Sequence, residues 1–111
     1  MSSMTSQSSS SSRAYLVADV DVTDPDGYER YKQLSSAAVD LYGGRFLVRG
    51  GPVEVLEGEV EPHRLVVIEF DSAEAVHRWY HSPEYAQARG VRQATSTGWF
   101  VVVEGAAQPL P

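Results

Sequence analysis

The chain has 111 residues, which is enough for one folded domain and too few for two independent hydrophobic cores. Acidic residues outnumber basic ones by 15 to 9, for a formal net charge of -6, and this balance argues against a nucleic-acid partner. The absence of cysteine excludes disulfides, thiolate metal sites and thiol nucleophiles. The apolar runs are far too short to cross a bilayer. The composition therefore predicts a cytoplasmic domain with no membrane partner.

The chain begins with a serine-rich tail. Eight of residues 1–13 are serines and almost none is apolar, so the segment buries too little surface to offset the entropy lost on ordering. We therefore expect residues 1–13 to be disordered. The folded domain is predicted to span residues 14–105, and residues 106–111 to form a short C-terminal tail.

The first half of the domain predicts a strand followed by a helix. Residues 15–22 are rich in β-branched side chains, which is typical of a strand. Thr23-Asp24-Pro25 combines a capping side chain with a proline at the first helical position, and the helix is predicted to end near Tyr42, before Gly43-Gly44. One side of this helix carries the residues expected to be buried, which are Tyr31, Leu34, Ser35, Ala38, Val39 and Tyr42, with Tyr28 at the edge.

The second half of the domain repeats this order. Residues 45–49 are predicted to form a second strand, which Gly50-Gly51-Pro52 interrupts, and residues 53–56 are expected to continue it or to form a small ribbon. Ser72 and the pair Ser82-Pro83 supply two further helix starts. The remaining predicted elements are a third strand over 63–70, helices over 73–81 and 83–94, and a last strand over 99–104.

The predicted order is β-α-β followed by β-α-β, which is typical of an α+β, ferredoxin-like βαββαβ protomer with a four-stranded antiparallel sheet. The helices can cover only one face of such a sheet, yet the third and fourth strands are apolar on both faces. Burying each large apolar side chain contributes about 1.5–3 kcal/mol, and a sheet that exposed several of them would be an unusually large patch for a monomer. We therefore expect a homodimer with two-fold symmetry.

A set of short motifs is spread over nearly the whole stretch from Tyr15 to Gly105. They are Val22-Thr-Asp-Pro25 with Tyr28 and Tyr31, Gly43-Gly-Arg-Phe46, Arg49-Gly-Gly51, Glu57-Gly58, Val67-Ile-Glu-Phe70, and Trp79-Tyr80 followed by Ser82-Pro-Glu-Tyr85. With these motifs the chain resembles the family called domain of unknown function thirteen-thirty, in the dimeric α+β barrel superfamily. The resemblance implies a dimer whose two sheets form a barrel. It implies no reaction, because the superfamily includes cofactor-independent monooxygenases, muconolactone isomerases and haem-binding proteins.

Arginine and aromatic side chains are the candidate ligand-binding residues. Arg89 and Arg92 fall on the same side of the last helix as Tyr85, and Arg49 ends the second strand beside glycine amides that could help to hold an anion. The candidate site consists of Tyr28, Arg49, Glu69, Trp79, Tyr85, Arg89 and Arg92. By strand parity, Arg64 and Glu69 lie on opposite faces of the sheet and do not form one site.

Two interpretations of these residues remain open. In the first, the arginines clamp a carboxylate or phenolate in a pocket between the sheet and the helices, and the aromatic rings surround the ligand. In the second, the arginines form ion pairs with Glu57, Glu69 or Glu84, some of them across a dimer interface, and the aromatic rings fill the core.

Two histidines are candidate metal ligands. His77 and His81 have the i,i+4 spacing of helical zinc pairs, but they are expected on the outer half of a short helix, with no third ligand at a familiar spacing. The pattern favours a solvated pair, and we predict neither a metal nor a cofactor. His81 stands where the resembled family usually has Asn or Asp.

The sequence predicts a homodimeric small-molecule-binding protein whose pocket takes an anionic or aromatic metabolite. An alternative is a cofactor-independent isomerase, cyclase or monooxygenase acting on a polyketide-like or phenolic substrate, in which Glu69, Tyr28 or His81 moves the proton. A third possibility is a dimerisation module with no ligand. No catalytic residue is assigned by these patterns.

Overall fold

The structure, a computed structural model, describes residues 12–106. The predicted tails therefore lie almost entirely outside the described residues. Along the chain the elements are β1 (Ala14–Val22), α1 (Pro25–Leu41), β2 (Arg45–Arg49), β3 (Arg64–Phe70), α2 (Ala73–Tyr80), α3 (Pro83–Thr95) and β4 (Ser96–Glu104).

The four strands form one antiparallel sheet in the order β2-β3-β1-β4. This arrangement confirms the predicted α+β, ferredoxin-like fold. The register pairs Leu16 with Ile68 and with Val102, so even-numbered residues of these three strands share one face. We call this the inner face, because the helices pack on it.

Local sequence signals account for the helix ends. The carboxylate of Asp24 accepts a hydrogen bond from the Gly27 amide at the start of α1, and the Ser72 and Ser82 hydroxyls cap α2 and α3 in the same way. The chain leaves α1 through Gly43, whose φ of 79° lies in the left-handed region. None of the helices described between residues 12 and 106 is long and apolar enough to span a membrane.

The core lies between the inner face and the helices. Leu16 and Phe70 from the sheet are buried there together with Val39 of α1, Trp79 of α2 and Tyr85 of α3. The side of α1 predicted to be buried does face this core. Packing of these side chains therefore sets the distance between the three helices and the sheet.

The segment between β2 and β3 differs from its prediction. Residues 53–56 form neither a strand extension nor a ribbon. Every residue from 51 to 61 is exposed and lies outside helices and strands, and Leu56 is 89% exposed. Gly50 and Gly58, which flank these residues, have positive φ angles typical of turns. No strand within residues 12–106 pairs with residues 53–56, so their β-branched side chains form no ladder.

Strand β4 is longer than predicted and begins at Ser96, directly after α3. The register pairs Ser96 with Val22 and Gly98 with Val20, so the additional residues continue the ladder with β1. Gly98 is needed at this point, because a Cβ there would collide with the carbonyl oxygen of Asp19. The hydrogen bonds of the ladder therefore outweigh the weak strand propensity of the Ser-Thr-Gly segment.

A β-bulge in β2 changes the direction of its side chains. Arg45 pairs with Glu69 and Phe46 with Ile68, but Val48 then pairs with Val67, so the register shifts by one residue at Leu47. Without the bulge, positions 45 and 49 would share a face. With it, Arg45 lies on the outer face and Arg49 on the inner face.

The outer face of the sheet carries an apolar surface that no helix covers. Among its residues, Trp99, Val101 and Val103 of β4 are 50%, 44% and 47% exposed. Their neighbours on the same face are Val17 of β1 and Val67 of β3, which are half-buried. The prediction that the sheet would present apolar side chains on both faces is therefore correct.

Candidate functional site

One concave feature is a groove between the inner face of β4 and the helices α2 and α3. Two adjoining pockets of about 320 and 260 Å³ form it, and the Tyr80 and Phe100 rings line both. We call it the β4 groove. It exists because β4 is an edge strand, which the helices only partly cover. The other lining residues are Leu16, Val20, Val76, His77, His81, Arg92, Gln93, Ser96, Thr97, Gly98 and Val102.

Arg92 is the charged group at one end of the β4 groove. Arg92 is only 9% exposed, and its guanidinium carbon lies 3.9 Å from the centre of the Phe100 ring. No carboxylate of residues 12–106 forms an ion pair with it. A buried cation normally has a counter-charge, because desolvation of an unpaired charge is costly. Arg92 is therefore a buried cation without a counter-charge among the described residues.

A chain of hydroxyls leads from Arg92 into the core. Arg92 Nη1 donates to the Tyr85 hydroxyl over 3.1 Å, and the Tyr85 and Tyr31 hydroxyls are 2.8 Å apart. Burial raises the pKa of Tyr85, Tyr31 adds to the rise and Arg92 opposes it, so the phenol stays protonated at neutral pH. Tyr85 therefore orients one side of the Arg92 guanidinium and does not neutralise it.

Two histidines line the other end of the β4 groove. The His77 and His81 rings are stacked with centres 6.0 Å apart and planes 6° apart, next to Phe100 and Val102. Both side chains are exposed, as the helical pattern predicts, but they also face this pocket. The groove thus has a guanidinium at one end, imidazoles at the other, and aromatic rings between them.

Arg89 supports the groove from behind. Its Nη1 donates to the Tyr80 carbonyl oxygen over 2.8 Å, and its guanidinium lies 4.9 Å from the Tyr80 ring centre. It thereby satisfies a carbonyl at the end of α2 and holds the Tyr80 ring. Trp79 is fully buried between Phe70 and Tyr85, with ring centres 5.5 and 4.2 Å away, and its ring lines neither pocket of the groove.

Tyr28 and Arg49 lie in a different crevice, between α1 and the strands β2 and β3. Arg64 of β3 joins them there and, with Lys32, lines a small cavity of about 20 Å³. The Arg64 guanidinium is 5.8 Å from the Tyr28 ring centre. Burial raises the pKa of Tyr28, Tyr31 adds to the rise and Arg64 opposes it. The Phe100 ring lines this cavity as well as the β4 groove and stands between them.

Glu69 lies on the outer face, on the opposite side of the sheet from all the other candidates. Arg45 Nε donates to it over 3.0 Å and the Tyr15 hydroxyl over 3.2 Å. The Arg45 guanidinium lowers the pKa of this carboxyl, so Glu69 is ionised at neutral pH. Its partners are thus structural, and the parity argument that separated it from Arg64 is confirmed.

Ion pairs within residues 12–106 account for none of the candidate arginines. Within residues 12–106, Glu69 pairs with Arg45 and Arg13, but no ion pair involves Arg49, Arg89 or Arg92. Nor do the described residues bring together three or more His, Asp or Glu side chains that could hold a metal ion. Guanidinium, phenol and imidazole groups are among the polar groups that line the β4 groove and the crevice.

Sequence reasoning missed Phe100 and Arg64 as site residues. Phe100 belongs to an apolar run that reads as core, although it forms the wall of the β4 groove. Arg64 carried a usable signal: parity places it on the same face as Ile68, where an arginine is unexpected. A positively charged residue on the core face of a strand needs a partner or a ligand.

The fold and the β4 groove define a small ferredoxin-like α+β protein with a cleft between its sheet and its helices. The chain belongs to the family described as Domain of unknown function (DUF1330), whose model matches residues 13–106. The resemblance seen in the motifs is thereby confirmed. No curated protein gives a significant match to the chain.

Several solved structures share the fold. The RPA0582 protein of unknown function from Rhodopseudomonas palustris is 17% identical, covers 91% of this chain and 85% of its own, and gives a TM-score of 0.71. SnoaB, a cofactor-independent oxygenase from Streptomyces nogalater, is 19% identical over 90% of this chain and 98% of its own, with a TM-score of 0.62. A dimeric ferredoxin-like protein of unknown function from Jannaschia sp. CCS1 is 17% identical over 85% and 98%, with a TM-score of 0.56.

Proposed function

We propose that the protein binds a small aromatic anion in the β4 groove. The observation that carries the proposal is Arg92, a cation that is almost fully buried, forms no ion pair with residues 12–106 and lines a pocket. A carboxylate or phenolate would supply the missing counter-charge through charge-assisted hydrogen bonds. The hydrogen bond that the guanidinium donates within residues 12–106 goes from Nη1 to the Tyr85 hydroxyl, so its other N–H groups can bind the anion.

The shape of the groove favours an aromatic body for this anion. The Tyr80 and Phe100 rings line both pockets, and the Phe100 ring already stacks on Arg92. Ligand pockets start at about 300 Å³, and the pocket at Arg92 measures about 320 Å³. A single-ring carboxylate fits this end, and a longer polyketide-like ligand would reach the imidazoles of His77 and His81.

The test is binding of benzoate and salicylate, with neutral benzamide as the uncharged comparison, measured by calorimetry and by the shift in melting temperature. We expect both anions to bind and benzamide to bind at least about tenfold more weakly, as for the loss of one charge-assisted hydrogen bond. Arg92→Met should abolish the preference. Arg78→Met is the matched control, since Arg78 is exposed on α2 and lines neither pocket. Equal affinities for benzoate and benzamide would contradict the proposal.

A second candidate is a cofactor-independent isomerase, cyclase or monooxygenase that uses the same groove. Its support is the fold shared with SnoaB and the imidazole of His81 facing the groove. In this role His81 removes a proton from a phenolic substrate whose other end pairs with Arg92. In a monooxygenase, the substrate supplies the electrons, and molecular oxygen places one atom in the product and one in water.

Oxygen uptake tests the oxygenase form of this candidate. The protein is incubated with an aromatic quinol, and oxygen consumption is followed with an electrode. We expect His81→Asn to slow uptake and Arg30→Met, an exposed substitution on α1, to leave it unchanged. Uptake equal to that of protein-free buffer would exclude the quinols tested as oxygenase substrates, while binding of benzoate would still be measured separately.

We further propose a homodimer joined through the outer face of the sheet. The proposal rests on the exposed apolar side chains of β4, above all Trp99, Val101 and Val103, and one solved structure of the same fold is described as dimeric. Light scattering after size exclusion should give twice the chain mass. Val101→Glu should yield a monomer, and Leu41→Glu, at an exposed position away from this face, should not. A monomeric unaltered chain would contradict the dimer.

A ligand-free dimerisation module is the remaining possibility, and it predicts a different outcome. Such a module would dimerise, yet its melting temperature would respond to neither benzoate nor salicylate. The unpaired state of Arg92 argues against it, because a buried cation with no ligand to bind only reduces stability.

A further inference from the structure

We propose that the crevice between α1 and the strands β2 and β3 is a second anion site, which binds an oxyanion through Arg64 and Arg49. It takes the anionic group of a phosphate or a carboxylate. It lies on the other side of the Phe100 ring from Arg92. The inference does not depend on the function proposed for the β4 groove.

Arg64 is the inner ligand of this site. Its Nε atom is buried and has no hydrogen-bond partner among residues 12–106, and its guanidinium forms no ion pair with them. Buried N–H groups are paired in the great majority of cases, so this one points to a missing acceptor. The nearest group is Tyr28, whose ring centre lies 5.8 Å from the guanidinium and whose hydroxyl interacts with Arg64 through a side-chain hydrogen bond. A neutral phenol leaves the charge of Arg64 without a counter-charge.

The backbone leaves room for this guanidinium. Gly50 has a φ of 75°, and a Cβ at this position would collide with Arg64 Nη1. The turn after β2 is thus shaped around Arg64. Gly58 also has a positive φ, of 98°, but nothing lies within 4 Å of the position its Cβ would take. The close approach of Gly50 to Arg64 is therefore not a general consequence of positive φ in this segment.

Arg49 is the outer ligand. The β-bulge at Leu47 turns it to the inner face, where it donates to the Ser36 hydroxyl and, over 3.5 Å, to the Lys32 carbonyl oxygen. Its guanidinium lies 4.1 Å from the centre of the Phe46 ring. These contacts fix the side chain while none of them neutralises its charge. A fixed guanidinium loses little further entropy when it binds an oxyanion.

The size of the crevice defines what enters it. Its closed part, about 20 Å³, holds one oxygen atom, and it adjoins an open depression of about 720 Å³ that Arg49, Lys32 and Phe46 also line. One oxygen of the anion would lie inside against Arg64 Nε, with the rest of the ligand in the depression. The acidic neighbours are Glu29, which pairs with Lys32 over 2.9 Å, and Asp40 on the rim of the depression.

Lys32 therefore contributes less than the two arginines, because Glu29 already balances its charge. The concentration of cations is still unusual for this chain. Its nine basic residues are outnumbered by acidic ones, yet no acidic side chain lines the closed part of the crevice, which three basic side chains line.

The experiment is a titration of the full-length, 15N-labelled chain with inorganic phosphate and, separately, with acetate, each against chloride at matched ionic strength. Amide shifts of Gly50 and Gly51 report on the site. We expect saturable shifts with phosphate, with acetate or with both, whereas chloride gives only a gradual drift. Saturation by phosphate alone assigns a phosphate ligand, and saturation by acetate assigns a carboxylate ligand.

Variants connect the binding to the proposed groups. Arg64→Met and Arg49→Met should each weaken binding by about tenfold or more, as expected for the loss of a charge-assisted hydrogen bond. Gly50→Ala should weaken it through the collision with Arg64, and Gly58→Ala, with the same backbone strain and an open position, should not. If Gly50→Ala fails to fold, the anion affinities of Arg64→Met and Arg49→Met test the proposal.

Two outcomes would overturn the proposal. One is the absence of saturation by both anions, and the other is unchanged affinity in the folded Arg64→Met chain. Arg92→Met separates the two sites: it should leave phosphate and acetate binding intact at Gly50 while it removes the preference for benzoate over benzamide. Failure at one site is therefore distinguishable from failure at the other.

Discussion

Replacing Arg92 by methionine separates a ligand-binding role from a structural one, because the two roles predict opposite changes in stability. Methionine keeps the length of the apolar stem and removes the charge. Two contacts disappear: the 3.1 Å hydrogen bond from Nη1 to Tyr85 and the stacking on Phe100 at 3.9 Å. The Tyr85 hydroxyl keeps its 2.8 Å partner Tyr31, so no buried hydroxyl loses its last hydrogen bond.

The interaction energies lost in Arg92→Met are no larger than the desolvation cost that the substitution removes. A hydrogen bond to a charged group contributes about 1.5–3 kcal/mol, and a guanidinium over an aromatic ring contributes about 0.5–2 kcal/mol. Against these stands the desolvation of a guanidinium, which costs several kcal/mol for a buried ion, and apolar replacement of buried ions is neutral or stabilising by about 1–4 kcal/mol. We expect the free energy of unfolding of Arg92→Met to be unchanged or raised by up to about 2 kcal/mol.

Urea unfolding followed by circular dichroism gives this free energy, at one fixed chain concentration because association shifts the apparent stability. Tyr85→Phe is the comparison: it leaves Arg92 Nη1 without an acceptor and should lower stability by about 1–3 kcal/mol. A loss of about 3 kcal/mol or more in Arg92→Met, typical of a broken buried ion network, would refute the reasoning that Arg92 has no partner within the chain.

Two further predictions concern stability alone. Gly44→Ala would bring a Cβ within 2.8 Å of the fully buried Phe70 ring, so it should lower the stability by about 1 kcal/mol or more, measured by thermal unfolding. Gly51→Ala lies in open space and should leave the stability unchanged. Equal melting temperatures for the two variants would show that the Phe70 ring can move. The hydrogen bond to Asp19 raises the pKa of His63 above 6.5. The contribution of protonated His63 to folding stability is therefore complete below pH 6.5 and is lost as the pH rises through the raised pKa. The melting temperature should fall over that range in the unaltered chain and fall less in His63→Asn; parallel profiles would contradict this.

The fold was predictable because its signals are local. Asp24 and Ser82 each precede a proline and cap a helix, and the structure shows both side chains accepting amide hydrogens as the pattern predicts. The two-sided apolar character of β4 was equally legible, since alternate residues point to opposite faces. Besides the early start of β4 at Ser96, the prediction failed at residues 53–56, because β-branched composition indicates a strand but contains no information about whether a partner strand is within reach.

The candidate site was less predictable, because it depends on where elements lie relative to one another. The bulge at Leu47 moves the Arg49 side chain to the other face of the sheet, and no residue type in β2 predicts a bulge there. Helix periodicity correctly placed Arg89 and Arg92 beside Tyr85. It could not show that Phe100 separates Arg92 from Arg49, because that depends on the packing of β4 under two helices.

The hydrogen-bonded chain from Arg92 to Tyr31 has a fixed direction only at its guanidinium end. A guanidinium can only donate, so Tyr85 accepts from Arg92, whereas either hydroxyl can donate in the hydrogen bond between Tyr85 and Tyr31. Because Arg92 and Tyr85 belong to α3 and Tyr31 belongs to α1, this chain joins the last helix to the first through an otherwise apolar core. Helix α1 also forms one wall of the crevice that contains Arg64 and Arg49. The two anion sites that we propose are therefore connected through one set of buried polar side chains.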